Sequence, residues 1–188
     1  FKWWLGNRIK MLYQLELFYK SDEQIILETE EYFNYLEKPN KAFSNMPVCP
    51  FLKPERLSDR IMIRVWKPVV NSLNHLFQDF FESKYSSALF ICRDTKDIKW
   101  RDVSRKSYQN TIQGFLKPTE YKALCLSPYE NFTAAGEGTR KKSPYFLINV
   151  ATRKEFDKAH EGLLKTKYFE KFSDEEIKKL KVYPKKKK

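Results

Sequence analysis

Three groups of residues in this chain have types and settings that could do chemistry. The first is Cys49, in Asn45-Met-Pro-Val-Cys-Pro-Phe51, where flanking prolines stiffen the backbone and exclude a helix interior. A thiol held in a stiff loop becomes a nucleophile or redox centre when a nearby cation lowers its pKa. The second is His160, on the helix expected after Thr152, where it shares a face with Phe156, Leu163 and Leu164. A histidine facing a pocket can take a proton near neutral pH. Paired in space, Cys49 and His160 would form an acyl-transfer or thiol constellation, and they are the candidate catalytic residues. The third group is Gly136, Gly138, Thr139, Arg140, Lys141, Lys142 and Ser143. Glycines let backbone N–H groups converge into an anion-binding nest, and the cations supply charge.

Each group also has a plainer reading. Free cysteine is usually a small buried hydrophobe, and a histidine on an apolar face is usually a hydrogen-bonded core residue. The glycine-rich segment would then be a solvated basic loop. Cys92 and Cys125 lie inside apolar runs and are assigned to packing. His75 points away from the apolar face of its helix and is assigned to solvent. Cys49, Cys92 and Cys125 are 43 and 33 residues apart with no Cys-x-x-Cys pair, which argues against zinc and for a reducing, cytoplasmic setting. There is no obvious acid pair, Walker loop or His-rich motif, so no metal is expected and no cofactor is named.

Hydrophobic spacing predicts the elements that position these residues. Residues 8–19 and Ser21 to Leu36 read as helices, the second opened by the capping pattern Ser21-Asp-Glu-Gln24. Residues 39–58 read as a proline-rich connection. Arg60–Trp66, Ser87–Cys92, Tyr121–Leu126 and Tyr145–Val150 read as strands. Helices fall between them, after Pro68 and from Trp100 to Leu116, and the capping patterns at Thr152 and Ser173 start helices at about 153–166 and 174–181. Alternation of strand and helix favours parallel neighbours in the middle, while the last two strands suit antiparallel pairing. The expected class is α+β: one mixed sheet of about four strands packed with helices. Residues 1–44 form an N-terminal helical extension, 45–184 the α+β domain, and 185–188 a basic tail.

The chain has 188 residues, 41% of them hydrophobic and 16% aromatic, which suits a buried core. Its net charge of +12 invites a nucleic-acid reading. Lys185 to Lys188 supply four of those charges, however, and Lys outnumbers Arg, the preferred phosphate fork. No run reaches the roughly 18 apolar residues of a membrane span, so no membrane partner is expected.

Several of these motifs resemble the uncharacterised bacterial family called domain of unknown function 1415. The matches are Cys49-Pro-Phe51, Ser127-Pro-Tyr129, Phe132 with Gly136 to Thr139, Ser143-Pro-Tyr145, and the helix bearing His160. They span about residues 45–180. Ser127 and Asn149 stand where that pattern carries histidines. The resemblance implies a single bacterial-type domain with the Cys49 loop and the long loop near one another, at one end of the sheet.

These readings converge on a small cytoplasmic enzyme or enzyme-like protein that holds an anionic small molecule at Gly136–Ser143. The alternative is a basic binding or assembly module for nucleic acid or an acidic protein. A further alternative is a subunit that assembles, with itself or others, through the N-terminal helices.

Overall fold

The computed structural model describes residues 20–67, 72–93, 105–117, 119–128 and 142–179. The helix expected at 8–19, the Pro68 turn and the lysine tail lie outside the described residues.

Strand β4 (Ser87–Cys92), a run without charged residues, is buried along its whole length. It is paired on both sides. β3 (Ile61–Trp66) lies parallel to it, and β6 (Phe146–Thr152) lies antiparallel on its other side. β5 (Tyr121–Leu126) pairs antiparallel with β6, with Tyr121 opposite Thr152 and Leu126 opposite Leu147. The order is therefore β3-β4-β6-β5, a mixed four-stranded sheet in an α+β fold. A separate two-stranded ribbon pairs β1 (Pro39–Asn40) with β2 (Met46–Pro47).

Both faces of the sheet are covered, because successive side chains of a strand point to opposite faces. On one face, α3 (Ser72–Phe81) and α4 (Arg105–Phe115) pack Phe77, Phe80 and Ile112 against Phe90, Cys125, Ile148 and Val150. On the other, α1 (Asp22–Leu36) lies by β3, and α5 (Arg153–Leu164) crosses β5 and β6. Ile25 and Phe33 of α1 share one core cluster with Leu89, Ile91 and Leu147, so residues 22–36 of the expected extension are built into the packing of the sheet. Phe43, Tyr168 and Phe172 fill the space between these helices, with ring centroids 5.0–5.9 Å apart. Phe90 and Ile91 are fully buried on opposite faces, each contributing about 1.5–3 kcal/mol of burial.

The helix starts follow their caps. Ser21 accepts from the Gln24 amide and Thr152 from the Glu155 amide. Ser173 and Glu176 make a reciprocal box at the head of α6 (Asp174–Lys179). The proline-rich connection holds more structure than expected: the ribbon, a 3₁₀ turn over Lys41–Phe43, and α2 (Leu52–Leu57). Pro54 lies in the first turn of α2, where its missing N–H costs no hydrogen bond.

Candidate functional site at the carboxyl end of the sheet

β6 runs opposite to both β4 and β5, so β3, β4 and β5 all point the same way. Their carboxyl ends share one end of the sheet, with the amino end of β6 between those of β4 and β5. The chain leaves β5 there at Ser127 and re-enters at Lys142, just before β6. Of the expected ligand-binding residues, Gly136, Gly138, Thr139, Arg140 and Lys141 lie outside the described residues. Ser143 is described. It is buried, and its hydroxyl donates to the Tyr145 carbonyl, fixing the turn into β6.

Beside Ser143 stands a charged cluster that joins α1 to the strand ends. The buried Tyr145 hydroxyl donates to Glu28 Oε2 at 2.6 Å. Lys20 Nζ donates to both Glu28 oxygens at 2.6 and 2.7 Å and to the Tyr145 hydroxyl oxygen at 3.2 Å. Arg93 follows β4; its amide donates to the Trp66 carbonyl at 2.8 Å, and its guanidinium to the Lys20 carbonyl and the Asp22 carboxylate. Hydrogen bonds from Lys20 and Tyr145 hold the Glu28 carboxyl below its ordinary value. The Glu28 bond raises Lys20, and burial, followed by Glu28, raises Tyr145. At neutral pH the cluster is thus an ammonium and a neutral phenol, both donating to one carboxylate. Lys20, Glu28 and Arg93 were not singled out in the sequence. Glu28 and Tyr145 are 117 residues apart, and no local pattern links them.

Cys49 is held elsewhere. Its amide donates to the Leu36 carbonyl at 2.9 Å, at the C-terminal end of α1. Neighbouring Glu37 accepts from Arg56 of α2, which leads into the amino end of β3. Glu28 and Leu36 are eight residues apart on α1, about 12 Å at 1.5 Å per residue. Of the 136–143 segment expected to lie near the Cys49 loop, only Lys142 and Ser143 are among the described residues. α1 runs from the Glu28–Tyr145 contact to Leu36, which holds Cys49, and Cys49 packs against the core cluster that includes Tyr145.

His160 occupies a third position, half-buried on the sheet-facing side of α5. Its ring meets Phe156 edge-on at 5.0 Å and lies 6.3 Å from Phe169. Burial, and then the charge of Lys122, lower its pKa, while Asp157 opposes the shift. Lys122 Nζ sits 3.8 Å from the centroid of the Phe156 ring. A path of contacts leads from His160 toward Cys49: Phe169 to Tyr168 at 5.0 Å, then the Tyr168 hydroxyl to the Val48 carbonyl at 2.7 Å. It is a packed aromatic path ending at the backbone of Val48, next to Cys49.

Cys92 and Cys125 are fully buried and His75 is exposed, as expected. Asn149, one of the two positions where the resemblance carries histidine, lies on β6 opposite Leu89 and Leu124. Its Oδ1 is buried without a hydrogen-bond partner among the described residues. A hollow of about 370 Å³ lies at the end of α5, lined by Leu164, Thr166, Lys167, Phe169, Glu170 and Ile177, away from the charged cluster. Among the described residues, no group of three or more His, Cys, Asp or Glu could hold a metal ion, and no helix is long and apolar enough to cross a membrane.

No protein-family model, no curated protein and no solved structure matches this chain. The resemblance to domain of unknown function 1415 therefore rests on its motif residues alone.

Proposed function

We propose that the protein binds an anionic small molecule at the carboxyl end of β3, β4 and β5, using the 136–143 segment. The observation that carries this reading is topological. Both ends of the glycine-rich, cationic segment join the sheet where three parallel strands terminate, beside Arg93 and the Lys20–Glu28–Tyr145 cluster. Lys20 and Arg93 are engaged with Glu28 and Asp22, and the charge for a ligand is assigned to Arg140, Lys141 and Lys142. Cys49 and His160 have separate contacts away from this end. The reading is therefore of a binding site first, with Cys49 and His160 as candidate reactive groups of any enzymatic version.

The test is calorimetric titration of the full chain with inorganic phosphate and with a small dicarboxylate. Binding of either is expected, and Arg140→Ala should weaken it about 10- to 150-fold, as loss of a hydrogen bond to a charged group does. Removing Lys185–Lys188 should change little. Equal affinity in wild type and Arg140→Ala, or no binding at all, overturns the reading. Strongly salt-dependent binding to oligonucleotides in its place would favour the nucleic-acid alternative.

A further inference from the structure

β5 is an edge strand, and an edge strand offers unpaired N–H and C=O groups to any other strand. Its apolar stretch Ala123-Leu-Cys-Leu126 carries no charge, and Leu124 is 39% exposed there. Such a stretch invites strand addition. Three of the outward backbone groups of β5 are nevertheless bonded to side chains of α4. Gln113 Oε1 accepts from the Ala123 amide at 3.1 Å, and Gln113 Nε2 donates to the Tyr121 carbonyl at 3.3 Å. One turn earlier on α4, Gln109 Oε1 accepts from the Cys125 amide at 3.4 Å. Residues four apart lie on one face of a helix, so α4 carries two side-chain amides in line along the strand. A glutamine amide has the donor and acceptor of a peptide group. Gln113 presents to β5 what a neighbouring strand would.

We propose that Gln109 and Gln113 act as a surrogate strand that closes the β5 edge against the β5 strand of a second copy of this chain. The opposite edge has a different safeguard. β3 bears the exposed Arg64 near its middle, and a charge on an edge strand opposes strand addition by itself. β5 carries Lys122 near its start, over the Phe156 ring, but no charge along Ala123–Leu126, and there the helix supplies the cover.

Hydrogen exchange and sedimentation of the full chain test this together. In the wild type, the Ala123 and Cys125 amides should exchange slowly although they face away from β6. In Gln109→Ala/Gln113→Ala they should exchange roughly tenfold faster, the order expected for one lost hydrogen bond. Lys122 and Leu124, which face β6, should stay protected. The same variant should self-associate more than the wild type as concentration rises. If the double variant does not fold, Gln113→Met keeps length and apolar stem, and should expose Ala123 alone while raising self-association. Unchanged exchange overturns the proposal. So does faster exchange without added self-association, because the glutamines would then bond to the strand without guarding it.

Discussion

Replacing Tyr145 with Phe removes one hydroxyl from the charged cluster and keeps the buried ring. That hydroxyl donates to Glu28 at 2.6 Å and accepts from Lys20 at 3.2 Å. A hydrogen bond to a charged partner contributes about 1.5–3 kcal/mol. Glu28 keeps Lys20 and Gln24, and its side chain is 26% exposed, so water can replace part of the loss. The expected cost is therefore at the lower end, about 1.5–2 kcal/mol. In a chain of this size it should lower Tm by roughly 3–8 °C. In urea the midpoint should fall with an unchanged m-value, since the surface exposed on unfolding is the same. A cycle with Glu28→Gln should show coupling of about 1 kcal/mol between the two positions. The pH dependence gives the sign. The Glu28 carboxyl is held below its ordinary value of 4.5. Its contribution is thus fully present above that value and lost as pH falls through the lower, folded-state value. The penalty of Tyr145→Phe should shrink on acidification below about pH 4.5. A cost under about 0.5 kcal/mol at neutral pH would refute the assignment of this bond as a fastening of α1 to the sheet.

Two further outcomes follow from the same contacts. Burial lowers the pKa of His160 below its ordinary 6.5, so the stability that neutral His160 contributes is full above that value and lost as pH falls through the folded-state value. His160→Gln should flatten that acid limb of a urea-midpoint profile, and an identical profile would contradict the burial. Cys49 is partly exposed while Cys92 and Cys125 are fully buried, so a thiol reagent should label Cys49 well before the other two in the native protein. Equal labelling rates for all three would contradict that packing.

The strands were legible because their apolar runs are sharply bounded. Ser87–Cys92 and Tyr121–Leu126 fall where the sequence puts them, and β3 starts one residue late. β6 runs on to Thr152, since the cap of α5 follows directly from the strand. The expected antiparallel pairing of the last two strands is present, but their insertion with β6 between β4 and β5 depends on contacts about 60 residues apart in the chain. Local periodicity carries no information at that range. The same holds for the site. Cys49, His160 and Ser143 could each be picked by residue type, yet where each sits is set by long-range contacts such as Tyr168 reaching Val48. The short elements between Pro39 and Leu57 were hidden because two-residue strands and a six-residue helix leave too few positions for any period to show.

The central claim is that an anion binds where β3, β4 and β5 end. Amide chemical-shift mapping of the full chain during titration with inorganic phosphate tests it most directly. Saturable shifts are expected at Gly136–Ser143, Arg93 and Tyr145, with Cys49 and His160 unmoved. Shifts centred on Lys122 and His160, or on the hollow lined by Leu164 and Ile177, would contradict it.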